Sequence, residues 1–194
     1  MSSIDLNDPV AVLLAATSAL KNSQLETAAY GGLALAVYGE ARETKDADLA
    51  VAGIETQQAQ AALRGQGFDV ILAFDRMKFG GQFVSRLTLV DRGSTNTVDL
   101  VEARSRSYAD RVLARAVVGE LRGQTVQVVA PEDFVILKIL ATRDRDLEDA
   151  ASVIRSVGTA LDLKLVNDEI RSLSSEINDH DIEERHRRVL LMST

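Results

Sequence analysis

Apolar and polar residues follow two different periods along the chain, and the first third predicts helices and strands in alternation. Asp8 and Pro9 precede the apolar run VAVLLAATSAL, which is typical of a helix start, and the predicted helix continues to about Lys21. LETAAY predicts a short buried strand, LALAVYG a helix ended by Gly39, ADLAVAG a strand, and TQQAQAALRGQG an amphipathic helix. The pattern therefore predicts a sheet with helices packed against it.

The middle of the chain is rich in strand-like patterns. FDVILAF, RMKFGG, FVSRLTLVD and NTVDLVEA alternate or run apolar between Asp, Gly and Asn turn signals, which predicts consecutive antiparallel strands. A helix is predicted around Tyr108 to Ala116, and GELRGQTVQVVA predicts a hairpin.

From Pro131 onwards the pattern becomes helical. The segment from Pro131 to Val157 predicts either one long helix or two helices broken near Arg143 to Asp146, and the charged remainder from Asp162 is also helical. We therefore expect an α/β (α+β) fold with a mixed sheet flanked by helices. Residues 1–130 would form this core, and residues 131–194 a helical C-terminal part packed on it.

The composition narrows the chemistry that such a fold can carry. The chain has no cysteine and two histidines near its C-terminus, which excludes disulfides and thiolate metal sites and argues against a histidine metal site. Any metal should be a hard, oxygen-bound ion such as Mg²⁺. No apolar run approaches the ~20 residues that span a bilayer, and the N-terminus lacks a signal-peptide layout, so we expect a cytoplasmic protein without a membrane partner.

The net charge of −7 argues against indiscriminate binding to nucleic acid. Most basic residues are arginines, however, and seven of them form two clusters: Arg104, Arg106, Arg111 and Arg115, and then Arg185, Arg187 and Arg188. Guanidinium groups suit bidentate phosphate contacts, so the clusters are compatible with a local basic groove. Solvated helix faces explain them equally well.

Two glycines and two aspartates stand where predicted strands meet helices or turns. Gly31 and Gly32 follow the first predicted strand, and Asp46 and Asp48 lie at the head of the second. Residues i and i+2 of a strand point to the same face, so the two carboxylates should need a divalent metal or a basic neighbour. Glycines let backbone N–H groups approach a phosphate closely. The Gly-Gly pair and the Asp-x-Asp motif each occur in ordinary turns. When they follow one another at the same edge of a sheet, they indicate a binding site for a phosphate and a metal ion.

Asp99 interrupts the apolar strand sequence from Thr97 to Val101. A carboxylate there is costly to bury unless it is paired. If its strand neighbours that of Asp46, Asp99 completes a three-carboxylate cluster able to hold two metal ions and to accept a proton from an attacking hydroxyl. The alternative is an edge position where Asp99 faces solvent.

The C-terminal helical segment carries a second set of charged residues. At about 100° per residue, Lys138, Thr142, Arg145 and Asp149 fall on one helical stripe. A lysine inside the apolar run FVILKILA needs a negative partner, which a triphosphate or the aspartate cluster would supply. The alternative is a structural salt bridge from Lys138 or Arg145 to Asp149 or Glu148.

Together these motifs resemble the nucleotidyltransferase superfamily related to DNA polymerase beta, whose signature is a Gly-Gly or Gly-Ser turn, then Asp-x-Asp, then a later strand carboxylate. RETKDAD, residues 42–48, is similar to the Arg-x-Thr-x-Asp-x-Asp form of bacterial members. APED and KILATRDRDLED, which extends to Asp149 and includes Arg145 and Asp146, resemble a second block of the AbiEii and MenT toxins of type IV toxin–antitoxin systems. The resemblance covers roughly residues 25 to 157.

The resemblance implies a Mg²⁺-dependent nucleotidyltransferase that moves a nucleotidyl group from a nucleoside triphosphate (NTP) to a hydroxyl and releases pyrophosphate. The implied ligands of two Mg²⁺ ions are Asp46, Asp48 and Asp99, and Asp99 would also activate the hydroxyl. The implied nucleotide-binding residues are Gly31, Gly32, Arg42, Thr44 and Lys138. Lys138 would also act in catalysis by balancing charge on the leaving group.

The toxin branch implies further partners. The acceptor would be the 3′ end of tRNA, with the arginine clusters on its backbone, and a cognate antitoxin would regulate the enzyme. Thr44, beside the metal ligands, is the expected regulatory phosphorylation site. Two alternatives stay open: a nucleotidyltransferase that modifies a protein or a small molecule such as an aminoglycoside, or a catalytically inactive, nucleotide-binding antitoxin-like module.

Overall fold

A seven-stranded mixed sheet flanked by helices forms the fold in the computed structural model, which describes residues 4–38 and 43–193. The strands are β1 (Ala28–Tyr30), β2 (Ala47–Ala50), β3 (Asp69–Phe79), β4 (Gln82–Asp91), β5 (Ser94–Ala103), β6 (Val117–Leu121) and β7 (Gln124–Val128). The helices are α1 (Pro9–Asn22), α2 (Gly31–Leu35), α3 (Thr56–Gly65), α4 (Arg106–Ala114), α5 (Pro131–Leu140), α6 (Asp144–Val157), α7 (Leu163–Glu176) and α8 (Ile182–Met192). Short 3₁₀ turns follow α2 and α6, at Ala36–Tyr38 and Gly158–Ala160.

The sheet order is β3-β4-β5-β2-β1-β7-β6. β2 runs parallel to β5 and β1 parallel to β7, whereas the other neighbouring pairs are antiparallel. The fold class is thus the mixed α/β sheet flanked by helices that the sequence predicts. The strand that carries Asp99 is the direct neighbour of the strand that carries Asp48, which satisfies the condition for a joint carboxylate site.

Local side-chain caps explain where two helices begin. The Asp8 carboxylate accepts hydrogen bonds from the backbone N–H groups of Val10 and Ala11, and Pro9 occupies the first turn of α1. Asp146 accepts a hydrogen bond from the Arg143 backbone N–H and so caps the start of α6.

The C-terminal segment contains two helices at the predicted break, because Ala141 and Arg143 have extended backbones between α5 and α6. The continuous helical stripe predicted through Lys138, Thr142, Arg145 and Asp149 is therefore wrong. Lys138 and Asp149 still meet, because α6 folds back against α5.

One cluster of buried apolar side chains takes in residues from both 1–130 and 131–194. Helix α1 packs on β1, β2, β5 and β7, while α5 packs against α6, α7 and α8. Helix α5 is also tied to the β3–β4 hairpin: the Gln82 amide donates to the Leu137 carbonyl at 2.7 Å, and the Gly81 N–H donates to that of Leu140 at 2.8 Å. The division into a catalytic core and a C-terminal part stays a prediction.

Two local features differ from the sequence pattern. FDVILAF and RMKFGG contribute to one strand, β3, whose pairing with β4 shifts register on both sides of Phe74. The helix expected around Tyr108 to Ala116 begins at Arg106, where Ser105 caps it, and ends at Ala114. The predicted helix stop Gly39 and the predicted nucleotide contact Arg42 lie outside the described residues. None of the helices described is long and apolar enough to cross a membrane.

Candidate active site

Five residues form a cross-strand row over β3, β4, β5, β2 and β1. Phe74 pairs with Arg86, Arg86 with Asp99, Asp99 with Asp48, and Asp48 with Tyr30. Directly paired residues on neighbouring strands place their side chains on the same face of a sheet. The register therefore brings Asp48 and Asp99 together and sets an arginine beside them.

Asp46 lies immediately before β2, at one end of this arrangement. The Thr97 hydroxyl donates to Asp46 Oδ1 at 2.8 Å, and Asp46 Oδ2 lies 3.9 Å from Arg86 Nη2. The Asp46 side chain is 48% exposed, whereas that of Asp99 is 10% exposed. Asp46 is thus the solvent-facing member of the three-aspartate group formed with Asp48 and Asp99.

Arg86 makes a bidentate ion pair with Asp99. Its Nε donates to Asp99 Oδ1 at 2.8 Å and its Nη2 to Asp99 Oδ2 at 2.7 Å. Hydrogen bonding to Asp99 raises the pKa of Arg86 above its usual value in spite of partial burial, so the guanidinium stays charged. The guanidinium carbon lies 5.6 Å from the centroid of the Phe74 ring, which supports it from the β3 side.

Ionisation of the Asp48 carboxyl group is disfavoured by its surroundings. Burial, together with the neighbouring charges of Asp99 and Asp46, raises the pKa of Asp48 to about 7, although Lys138 and Arg143 oppose the shift. The three aspartates therefore carry more negative charge than Arg86 compensates. A further cation near Asp48 would relieve this repulsion.

The two glycines between β1 and α2 leave room for the acidic group. Gly31 has a φ of +65°, and a Cβ atom there would lie 1.9 Å from Asp48 Oδ2. A Cβ atom at Gly32 would lie 2.8 Å from Thr44 Cβ. The Thr44 hydroxyl donates to the Asp46 backbone carbonyl at 3.4 Å. The glycine pair thus allows the β1–α2 turn to lie against Asp48 and Thr44. A side chain at either position would collide with these residues.

Lys138 is buried in a second ionic cluster. Its Nζ lies 3.0 Å from Asp146 Oδ1 and 2.8 Å from Asp149 Oδ2, and also lies over the rings of Tyr30 and Phe134. The salt bridge to Asp149 is the structural alternative that the sequence left open. Asp146 is a second partner of Lys138, which the sequence pattern did not predict. A phosphate contact by Lys138 stays a prediction.

Arg143 joins the same cluster from the α5–α6 junction. Its Nε and Nη2 donate to the two oxygens of Asp146 at 3.1 and 3.2 Å, although the side chain is largely exposed. Burial opposes ionisation of Asp146, but Lys138 and Arg143 nevertheless hold the pKa of Asp146 below its usual value.

Two cavities meet at the carboxylates. The polar cleft, of about 430 Å³, is lined by Glu43, Thr44, Lys45, Asp46, Asp48, Arg86, Asp99, Arg143 and Arg145. The aromatic pocket, of about 220 Å³, is lined by Tyr30, Phe74, Phe79, Gln82, Val84 and Val101, with Asp48, Arg86, Asp99, Lys138, Ala141, Thr142, Arg143 and Asp146. Both cavities are lined by Asp48, Arg86, Asp99 and Arg143. These four side chains therefore lie at the boundary between the polar cleft and the aromatic pocket.

The acidic side chains at the polar cleft are the candidate ligands for Mg²⁺. In the described part of the chain, no three acidic or histidine side chains are arranged to hold a metal ion. Arg86 donates to both oxygens of Asp99, so a metal ion bound there would have to displace these hydrogen bonds. The three-aspartate, two-metal cluster expected from the sequence stays a prediction. Asp46 and Asp48 remain at the polar cleft, and proteins commonly bind Mg²⁺ through one or two carboxylates together with substrate phosphates.

The two arginine clusters have intramolecular partners. Arg104 pairs with Asp179, Arg106 with Asp110, Arg111 and Arg115 with Glu169, Arg187 with Glu184, and Arg188 with Asp144. Arg185 is nearly buried and donates to backbone carbonyls of Ile139 and Arg143. Two of these pairs, Arg106–Asp110 and Arg187–Glu184, lie within one helix, and the others connect different parts of the fold. A contact of these clusters with RNA stays a prediction.

Sequence reasoning missed Arg86, Phe74 and Phe79. Arg86 is a lone charge inside the β4 sequence FVSRLTLVD, much as Asp99 is in β5. Two opposite charges in neighbouring apolar strands are a signal for a pair, but the strand register that aligns them is not readable from either segment alone.

A protein family matches this chain in sequence, and several solved structures resemble it in fold. A family model described as "Nucleotidyl transferase of unknown function (DUF2204)" matches residues 12–190, and no curated protein matches the sequence. The crystal structure of ANT(2″)-Ia in complex with adenylyl-2″-tobramycin is similar over 84% of this chain and 97% of that one, with 15% identity and a TM-score of 0.53. The solution structure of the antibiotic-resistance factor ANT(2″)-Ia covers 88% and 95%, at 15% identity and a TM-score of 0.55. JHP933 from Helicobacter pylori covers 98% and 92%, at 17% identity and a TM-score of 0.52. At these identities the structural likeness shows a shared fold.

Proposed function

Because this chain belongs to the nucleotidyl transferase family DUF2204, we propose that it transfers a nucleotidyl group from an NTP to a hydroxyl, with Mg²⁺ held by Asp46 and Asp48. The observation that carries this proposal is the in-register pair of Asp48 and Asp99 beside Asp46 and the Gly31 turn. When bound, the ion would neutralise the triphosphate and the charge that develops on the leaving pyrophosphate.

The residues of the polar cleft suit a triphosphate. Lys45, Arg143 and Arg145 line it beside Asp46 and Asp48, so positive side chains surround the place where phosphate oxygens would meet the ion. The backbone amides of Gly31 and Gly32 are the proposed contacts of the β- and γ-phosphates. A direct contact of Lys138 with the triphosphate would require its ammonium group to leave Asp146 or Asp149.

In the proposed reaction the acceptor hydroxyl oxygen bonds to the α-phosphorus, and the bond between that phosphorus and the bridging oxygen to the β-phosphate breaks. Pyrophosphate leaves with the bonding electrons. The hydroxyl proton passes to a carboxylate oxygen of Asp99, which Arg86 holds at the boundary between the two cavities. The polar cleft would contain the triphosphate, and the aromatic pocket would lie on the acceptor side.

The aromatic pocket favours an acceptor with a flat, uncharged ring next to its hydroxyl. Its walls include Tyr30, Phe74 and Phe79, and a cavity of about 150 Å³ already suffices for a benzene-sized ring. The terminal nucleoside of an RNA has this chemistry, because aromatic side chains stack on unpaired bases. We therefore propose the 3′ end of an RNA, such as a tRNA, as the acceptor.

An aminoglycoside is the second candidate acceptor, since the fold is shared with ANT(2″)-Ia, whose complex contains adenylyl-2″-tobramycin. Polycationic amino sugars need several carboxylates that are not already neutralised. The carboxylates of the aromatic pocket are Asp48, Asp99 and Asp146, and the last two are paired with Arg86 and Lys138. This arrangement favours RNA over a polycation.

A toxin of the AbiEii and MenT type, controlled by an antitoxin, is the proposed biological setting. Thr44 would be the control point, because its side chain lines the polar cleft and its hydroxyl lies next to Asp46. A phosphate on Thr44 would add negative charge beside Asp46 and repel an incoming triphosphate.

Labelling with each of the four α-³²P NTPs, in Mg²⁺, tests the proposal. The purified protein is offered total RNA, tobramycin or a protein extract, and we expect label in RNA. Asp46→Asn should abolish the labelling, while Asp91→Asn, at the far end of β4, should retain it. Label in tobramycin would support the second candidate instead, and no labelled acceptor with any NTP would overturn the proposed activity.

A further inference from the structure

Arg86 stands between two of the three aspartates. It makes two hydrogen bonds to Asp99 and lies 3.9 Å from Asp46. A second divalent ion shared by these aspartates would have to use the same Asp99 oxygens. Because both oxygens of Asp99 already accept hydrogen bonds from Arg86, a second ion at Asp99 would have to displace the guanidinium group.

The fold holds Arg86 in that position. β4 is an interior strand between β3 and β5, so its backbone is hydrogen-bonded on both sides. Asp99 is the direct register partner of Arg86 on β5, and the Phe74 ring supports the guanidinium from β3. A planar guanidinium that fits both oxygens of a carboxylate is preorganised for this contact.

We propose that Arg86 takes the place of one of the two divalent cations that three aspartates would otherwise bind, so that this protein works with a single metal ion. This inference rests on the proposed function. Arg86 is a positioning residue in it: it neutralises Asp99 and fixes the carboxylate that receives the acceptor proton. The single ion is held by Asp46, Asp48 and the triphosphate.

The chain offers a matched control for Arg86. Arg76, on β3, forms an ion pair with the nearly buried Glu102 of β5. Glu102 also accepts a hydrogen bond from the Gly53 N–H, and neither Arg76 nor Glu102 lines the polar cleft or the aromatic pocket. Arg76→Gln therefore breaks an arginine–carboxylate pair of the same sheet without touching the proposed site.

The test counts the Mn²⁺ ions bound per chain by electron paramagnetic resonance. The protein is saturated in turn with analogues of the four NTPs in which a methylene group bridges the α- and β-phosphorus and prevents the reaction. Wild type and Arg76→Gln should each bind one Mn²⁺ per chain in the nucleotide complex. Arg86→Gln should bind two, because Asp99 is released. Thermal unfolding with and without Mn²⁺ checks that the variant folds, and the added ion should raise its melting temperature more than that of wild type.

If Arg86→Gln does not fold, Arg86→Met, which also releases Asp99, takes its place in the count. Two Mn²⁺ ions per wild-type chain would overturn the inference even if Arg86→Gln failed to fold, and leave the proposed function intact. One Mn²⁺ in folded Arg86→Gln would also overturn it, since Arg86 would not be what excludes the second ion. No Mn²⁺ in any variant would overturn the proposed function together with the inference.

Discussion

Two ionic clusters face each other across the cavities, and they differ in charge balance. In the Lys138 cluster, Asp146 and Asp149 surround an ammonium group that is 2% exposed, and Arg143 adds a second cation. In the three-aspartate group, Arg86 is the cation within ion-pair distance among the described residues. The first cluster is buried and compensated, whereas the second is open and short of positive charge. Removing one partner of the first cluster should therefore cost stability, whereas the second is the proposed site for a cation.

The pKa values of Asp146 and Asp48, one carboxyl from each cluster, are shifted in opposite directions. Lys138 and Arg143 hold the pKa of Asp146 below its usual value against the effect of burial. Burial and the neighbouring Asp99 and Asp46 instead raise the pKa of Asp48 to about 7. A buried carboxylate with enough neighbouring cations stays ionised to a lower pH, whereas one without them is protonated more readily. From this contrast we expect that the Lys138 cluster mainly stabilises the fold, whereas the aspartates at β2 and β5 carry the proposed chemistry.

Removing a carboxylate from the open group should have the largest effect. Asp46→Asn and Asp48→Asn should each lower nucleotidyl transfer by about 10³-fold or more, because the ion loses a charged ligand. Urea unfolding in the absence of metal should show no loss of stability for either variant. A drop in stability as large as the drop in activity would show that the two clusters do not divide the work in this way.

Breaking the closed cluster should give the opposite result. Lys138→Met leaves Asp146 and Asp149 buried beside an apolar side chain, and we expect the free energy of unfolding to fall by about 3–5 kcal/mol. Urea denaturation followed by circular dichroism measures the change. Lys164→Met, at an exposed lysine of α7, is the control and should leave the midpoint unchanged. Equal midpoints for both variants would contradict a structural role for Lys138.

The close approach of Gly31 to Asp48 can be broken by one methyl group. Gly31→Ala should lower the free energy of unfolding by about 1–3 kcal/mol, since alanine is strained at a φ of +65° and its Cβ would collide with Asp48. Gly65→Ala, at the end of α3 where a Cβ would meet nothing within 4 Å, should be neutral or slightly stabilising. If both variants melt at the same temperature, Gly31 does not provide the space described.

The smallest effect concerns the pH dependence of the open group. The pKa of Asp48 is higher in the folded than in the unfolded protein, so folding is penalised increasingly from about pH 4 to about pH 7 and constantly above that. Asp48→Asn removes the penalty and should stabilise the metal-free protein by about 1–2 kcal/mol at pH 8. The gain should vanish near pH 4. A gain that is the same at both pH values would exclude Asp48 as its source.

The sequence predicts best what neighbouring residues determine. The Gly31–Gly32 turn, the strand around Asp48 and the break between α5 and α6 depend on local signals: glycine, alternation and capping residues. The joint placement of Asp48 and Asp99 could be predicted only on the condition that their strands are neighbours. That condition is a property of the sheet order.

Two contacts at the site could not be predicted from the sequence, because they join residues that are distant along the chain. Arg86 meets Asp99 through the register of β4 and β5, and register is fixed by the whole sheet. Lys138 meets Asp146 and Asp149 because α6 turns back on α5, whereas the predicted helical stripe assumed a straight helix. Both contacts bear on the proposed reaction. Arg86 hydrogen-bonds both oxygens of Asp99, and Asp146 and Asp149 neutralise the charge of Lys138.

Anomalous diffraction from crystals soaked with Mn²⁺ and the methylene-bridged NTP analogue tests the central claim most directly. The account predicts one manganese peak that touches Asp46, Asp48 and the triphosphate, with Arg86 still paired to Asp99. Manganese and triphosphate bound away from Asp46 and Asp48, or no binding at this group, would contradict it.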